Sequence, residues 1–236
     1  MSEKQIYENW EMMPKSYKDD MVQFQNWFDE TTSIKHTIAQ GHIDFHNKVV
    51  TNEVYRILGD IKDKSCLEIG FGGGRLLNAA SQVFSKAYGI DIHSCFDTTN
   101  EFLKSQNCNN HQLVHYSDTN SLPDNFIDFV YSFIVFQHFS SISYFHDYIR
   151  LIKRILKRGG CANLHLAKNI WNDNDYYLKD DLISGTTNST LFYSPSFVKK
   201  VLNDSNFEVV SEGQMTKSPW STNLSGQFYV IFKHKE

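Results

Sequence analysis

The 236-residue chain reads as an α/β protein built on a doubly wound, mostly parallel sheet. Three observations predict this class. Strand-length apolar runs alternate with amphipathic helical segments from residue 65 onward. The first of these strands runs through a turn with four glycines in residues 70–74 into a helix, the arrangement that open sheets use to cradle a nucleotide. The second strand ends on a carboxylate, Asp91, about 20 residues past the first glycine, where such folds grip a ribose diol.

Residues 1–60 read as mostly helical. Met21–Phe28 and Asn47–Leu58 carry helical apolar spacing, with Val50, Val54, Ile57 and Leu58 on one stripe. The segment is otherwise polar and aromatic, with Trp10, Tyr17, His36, His42 and His46, and Trp27 within the first of these stretches. It suits either a lid over a site or a helical layer against the sheet. The core then alternates: strand Ser65–Ile69, helix Gly74–Phe84, strand Lys86–Ile90 ending in Asp91, helix Thr98–Ser105 and strand His111–Tyr116. A fourth strand lies in NFIDFVYSF and ends at Tyr131–Phe133. A helix over Ser143–Arg158 is expected to stop at Gly159–Gly160 before strand Cys161–Leu166. Its basic stripe of Arg150, Lys153, Arg154, Lys157 and Arg158 reads as a solvated face. A polar, aromatic insert follows over Lys168–Tyr193. Ser194 and Pro195 then open a helix that runs to about Asp204, and FEVVSEG and QFYVIFKH supply the last two strands.

Composition narrows the function. Length allows one good-sized domain. The net charge of −4 offers no basic field for nucleic acid. Four cysteines show no C-x-x-C spacing, and with no signal peptide a reducing cytoplasm is the expected home. No apolar run reaches the ~20 residues of a membrane helix. His42 and His46 stand at i, i+4, but no carboxylate completes a zinc signature, so no metal is expected.

The glycine turn discriminates between cofactors. A dinucleotide fingerprint, G-x-G-x-x-G, would need glycine at position 75, and the chain has Arg75. What stands there is E-x-G-x-G-x-G, from Glu68 through Gly70 and Gly72 to Gly74. This stretch resembles motif I of the class I S-adenosylmethionine-dependent methyltransferases. Asp118, ahead of Leu122–Pro123 and the run Phe126, Asp128, Val130, is similar to that family's acid after the third strand, and RLIKRILKRGGCANLHL is similar to its fifth-strand entrance. The resemblance covers about residues 60–236. It implies a Rossmann-like, seven-stranded sheet with an antiparallel last strand, preceded here by an N-terminal helical cap of residues 1–60. It implies S-adenosyl-L-methionine as cofactor, held by Glu68, Gly70, Phe71, Gly72, Gly74, Asp91, Ile92, Asp118, Thr119 and Ser132. The amino-methyltransferase motif N/D-P-P-Y is absent after the fourth strand, where the chain reads SFIV. His138 and His165 are therefore the candidate bases for a hydroxyl acceptor. The expected reaction is O-methylation of a small polar acceptor, a sugar or nucleotide-sugar, bound in part by the insert at about 168–193. N-methylation of a small metabolite is the alternative. A nicotinamide-dependent reductase or a non-catalytic scaffold fits the glycine loop less well. The expected protein is a cytoplasmic monomer or homodimer with no nucleic-acid or membrane partner.

Overall fold

A computed structural model describes residues 8, 10–179, 190–215 and 226–236. A 3₁₀ turn, Met13–Tyr17, leads into helix α1, Met21–Asp29. Asp20 caps α1 by accepting from the amides of Val22 and Gln23, and Glu30 ends it in the left-handed region, φ 54°. Helix α2, Ile34–Asp44, is capped by Ser33 and runs directly into a π-helical turn, Phe45–Val49. Helix α3 spans Asn52–Leu58.

The expected continuous helix over Asn47–Leu58 is thus broken at Val50–Thr51. Two buried side chains of the fifth strand explain the break. Asn163 Nδ2 donates to the carbonyls of Lys48 and Val49 at 3.1 and 2.9 Å, and His165 Nε2 lies 3.2 Å from the Lys48 carbonyl. These carbonyls are satisfied by side chains rather than by a continuing helix.

The central sheet uses β1 (Ser65–Ile69), β2 (Lys86–Asp91), β3 (His111–His115), β4 (Ile127–Ser132) and β5 (Leu156–Ala167). Helices α4 (Arg75–Ser81), α5 (Phe96–Ser105) and α6 (Ile142–Ile155) connect them. The insert contains a hairpin that the sequence reading did not foresee, β6 (Tyr176–Lys179) against β7 (Thr190–Tyr193), and its residues 180–189 lie outside the described residues. Helix α7, Pro195–Asp204, precedes β8 (Phe207–Gln214) and β9 (Gln227–His234). Ser194 does not cap α7 through its side chain; its hydroxyl pairs with that of Ser196 at 2.5 Å.

The seven strands lie in the order β3-β2-β1-β4-β5-β9-β8. The first five are parallel, and β9 is antiparallel to both neighbours. The strand order reverses at β1, so the crevice for a ligand opens at the carboxyl ends of β1, β2 and β4. Helices α3, α4 and α5 share one face of the sheet with Cys66, Ala87, Phe129, Tyr131 and Ile231. Helices α6 and α7 share the other with Leu67, Ile69, Val130, Leu164 and Phe232. Strands buried on both faces explain the unbroken apolar runs.

Helix α6 ends three residues before the expected stop. Leu156 is already extended and pairs with Ile127, so Gly159 and Gly160 lie inside β5 and do not terminate the helix. Gly160 is needed for packing, since a Cβ there would sit 2.6 Å from the Asp128 carbonyl oxygen. The basic stripe is largely absorbed by neighbours. Arg154 donates to the Leu122 and Thr119 carbonyls and to Asp124, Lys157 pairs with Asp128 at 2.8 Å, and Arg150 pairs with Asp147. All four cysteines are buried and free. Among the described residues no helix is long and apolar enough to cross a membrane, and no cluster of three potential metal ligands occurs.

Candidate active site

The site is built around the turn between β1 and α4. Gly70, Gly72 and Gly74 all adopt positive φ, at 78°, 50° and 88°. Protein side chains press against each of them. A Cβ would meet Val135 at 2.3 Å on Gly70, Phe28 at 2.9 Å on Gly72, and Thr99 at 2.9 Å on Gly74. Gly73 is approached by Gln25 at 2.4 Å. Phe28 and Gln25 belong to α1, so the N-terminal layer lies directly over the loop.

Asp91 reaches this loop from the end of β2. Its Oδ2 accepts from the Gly72 amide at 2.8 Å and its Oδ1 from the Ile92 amide at 2.7 Å. The His93 amide adds a third, longer bond to Oδ1 at 3.4 Å, so of about four acceptor directions on the carboxylate one remains for a ligand hydroxyl. His93, absent from the sequence prediction, is fully buried beside it. Its Nε2 lies 3.0 Å from the Gly72 carbonyl, and its Nδ1 accepts from the Cys95 amide. The Thr99 hydroxyl donates to the same Gly72 carbonyl at 3.1 Å. Phe71 packs edge-on against His93 and Phe96.

Glu68 is buried, and the Tyr131 hydroxyl donates to its Oε2 at 3.1 Å. Burial pushes its carboxyl well above the usual carboxylate range; Tyr131 and Arg75 oppose that shift, while Asp29 and Asp91 add to it. Ser132 is fully buried and donates to the Ile69 carbonyl at 2.9 Å, tying the ends of β1 and β4 together. Arg75, the residue that breaks the dinucleotide pattern, is buried between two carboxylates. Its Nε reaches Asp29 at 2.8 Å and its NH1 reaches Asp44 at 2.5 Å. It thus fastens α1 and α2 to the start of α4.

Asp118 and Thr119 lie on the 3₁₀ turn Tyr116–Ser121 after β3. Asp118 is exposed, and the Thr119 carbonyl is held by Arg154. From this turn Tyr116 projects into a small pocket of about 40 Å³ that it shares with Trp10, Ile92, His138, Phe139, Ser140, Tyr144 and Tyr148. The pocket therefore joins two predicted residues, Ile92 and His138, with aromatics that the sequence did not single out for the site. Trp10 packs on His138 with ring centroids 4.6 Å apart. Burial lowers the His138 pKa to about 4, so the ring is neutral at pH 7. Its Nε2 lies 3.2 Å from Gln137 Nε2, and Gln137 Oε1 accepts from Gln227. Its Nδ1 and Trp10 Nε1 are buried without a hydrogen-bond partner among the described residues.

His165 is placed elsewhere. It is fully buried on the face of β5 that meets the π-helical turn, between the Lys48 carbonyl and the rings of Phe133 and Tyr229, with its pKa also lowered to about 4 by burial. Beyond Tyr229 a second pocket, of about 220 Å³, lies among Asn47, Lys48, Thr51, Gln214 and Met215.

Residues 67–163 match the family model described as a methyltransferase domain. No curated protein sequence matches the chain. Solved structures share the fold. An S-adenosylmethionine-dependent methyltransferase from Methanosarcina mazei aligns at 19% identity and TM-score 0.63, over 79% of this chain and 99% of that one. One from Clostridium acetobutylicum aligns at 12% identity and TM-score 0.61, over 94% and 100%. A DhpI–SAH complex aligns at 13% identity and TM-score 0.57, over 94% and 96%. The domain match, the reversed strand order and the glycine loop agree: residues 67–163 match a methyltransferase domain, and the chain has the fold of solved S-adenosylmethionine-dependent methyltransferases. The residues present fit S-adenosylmethionine. Three glycines keep the loop in the left-handed region, Asp91 keeps acceptor capacity, and Gln25 Oε1, beside Gly73, is buried without a hydrogen-bond partner among the described residues.

Proposed function

We propose that the enzyme methylates a hydroxyl of a small polar acceptor, a sugar or nucleotide-sugar, with His138 as the base. The observation that carries this reading is the buried, neutral His138 ring with Nδ1 unpartnered at an aromatic pocket. Bound S-adenosylmethionine supplies the transferable sulfonium methyl. In this reading Gly70, Phe71, Gly72 and Gly74, with Glu68 behind them, shape its amino-acid end. Asp91 holds the ribose. Ile92, Asp118 and Thr119 hold the adenine, and Ser132 fixes the strand end beneath.

His138 can act as base at Nδ1 when the amides of Gln137 and Gln227 turn over together. Gln137 Oε1 then accepts from His138 Nε2–H, and Gln137 Nε2 donates to Gln227 Oε1, which now has no partner. A proton taken from the acceptor at Nδ1 leaves an imidazolium braced by Gln137. His165, engaged with Lys48, which lines the larger pocket, is the second candidate. Residues 1–60 act as the cap, and residues 61–236 as the catalytic domain. The insert at about 168–193 contributes to acceptor binding. Trp171, 57% exposed, and Tyr176, 41% exposed, offer flat apolar faces suited to a sugar ring. The enzyme acts in the cytoplasm as a monomer or homodimer.

The test is an S-adenosylhomocysteine release assay over hydroxyl and amine acceptors. Turnover confined to hydroxyl compounds is expected, and His138→Ala is expected to lower kcat by about 10²–10⁴-fold with S-adenosylhomocysteine affinity unchanged. Turnover on amines alone, or full kcat in the variant, refutes the reading.

A further inference from the structure

Gln25 is a polar side chain in an unusual position. It comes from the middle of α1, is 1% exposed, and lies on the glycine loop. Its Nε2 donates to the Gly73 carbonyl at 2.7 Å. That bond fixes the amide orientation, because the reverse would set two carbonyl oxygens against each other. Its Oε1 is consequently also fixed, and it has no hydrogen-bond partner among the described residues. It stands 2.4 Å from where a Cβ of Gly73 would be, so the missing side chain at Gly73 is what admits the amide. A buried carbonyl left without a donor costs about 1–3 kcal/mol, a cost that an apolar side chain of the same length would avoid.

The surroundings specify the donor that would relieve it. Asp29, Glu68 and Asp91 are close enough for both aspartates to repel charge on Glu68, and Arg75, the cation among them, is already divided between Asp29 and Asp44. An arriving donor that also carries positive charge is favoured there over a neutral one. Of the parts of S-adenosylmethionine, the α-ammonium is the one with both properties.

We propose that Gln25 is a cofactor-binding residue, its Oε1 accepting a hydrogen bond from the α-ammonium of S-adenosylmethionine, so that the N-terminal layer reads the amino-acid end of the cofactor. This rests on the cofactor assignment above.

Calorimetric titration with three ligands separates the two. S-adenosylhomocysteine carries the ammonium, its deaminated analogue lacks it, and 5′-methylthioadenosine lacks the whole amino-acid end. The proposal expects Gln25→Met to bind S-adenosylhomocysteine about tenfold more weakly while its affinities for the other two stay within twofold of wild type. It also expects the wild-type protein to bind the deaminated analogue at least tenfold more weakly than S-adenosylhomocysteine. That arm needs no variant and so survives a misfolded Gln25→Met. Equal losses for all three ligands would assign Gln25 a purely structural role. Equal wild-type affinity for the aminated and deaminated ligands would also overturn the proposal. Failure of the wild-type protein to bind any of the three would remove the cofactor assignment and the proposal together.

Discussion

Asp91 serves the loop and, in the proposed reading, a ligand as well. Its carboxylate already holds the Gly72 amide at 2.8 Å, which keeps the loop in the conformation that faces the crevice. Removing it takes away a charged hydrogen bond within the protein as well as the proposed pair to the ribose. Such bonds are worth about 1.5–3 kcal/mol each, so Asp91→Ala is expected to weaken S-adenosylhomocysteine binding about 10–100-fold. An unchanged Kd by calorimetry would detach Asp91 from the ribose. Gly72 is constrained differently. Its φ of 50° suits glycine, and Phe28 already occupies the space where a Cβ would go. Gly72→Val is therefore expected to abolish cofactor binding and to lower Tm, because the loop and α1 cannot both keep their places. Retained affinity would show that the loop tolerates a β-branched residue.

Arg75 sets the relation between elements. The sequence marked it only as the residue that spoils a dinucleotide fingerprint. In the fold it is the buried cation joining α4 to Asp29 at the end of α1 and Asp44 at the end of α2. Deleting one partner of a buried ion pair leaves charge uncompensated at about 3–5 kcal/mol. Arg75→Leu is expected to destabilise the protein by that amount, seen as a lower urea midpoint, and to loosen α1 from the loop. An unshifted midpoint would mean that the two aspartates find other partners. What the sequence could not show follows from the same geometry. The strands were legible because a doubly covered parallel sheet demands unbroken apolar runs, and the turn was legible because its glycines and Asp91 fall within about 20 residues of one another. The roles of Arg75, Gln25 and Phe28 depend on partners 31–48 residues away. The break after Val49 depends on Asn163, 114 residues from it. The end of α6 was misplaced because an amphipathic period does not reveal that Leu156 is claimed by pairing with Ile127.

The whole molecule buries several titratable groups, and their opposed signs shape its response to pH. His138 and His165 are fully buried, with pKa lowered from 6.5 to about 4, and burial lowers His42 and His111 as well. Between pH 6.5 and 4 the unfolded chain binds protons that the folded protein refuses. Stability therefore falls as the pH drops through that window, by up to about 3 kcal/mol for each of the two deepest histidines. Glu68 works the other way. Its folded pKa is raised well above 4.5, so its contribution is complete below pH 4.5 and is lost as the pH rises through the folded value. Two or more protons on the histidine side outweigh one on the glutamate side, so stability is expected to rise from pH 4.5 to 6.5 and to fall slowly above it. Calorimetric Tm against pH measures this directly. In the double variant His138→Phe with His165→Asn, most of the histidine contribution is gone and the slope between pH 4.5 and 6.5 should flatten or reverse, with Glu68 then dominant. A profile that rises as steeply in the double variant as in the wild type would place the acid sensitivity in the exposed carboxylates instead.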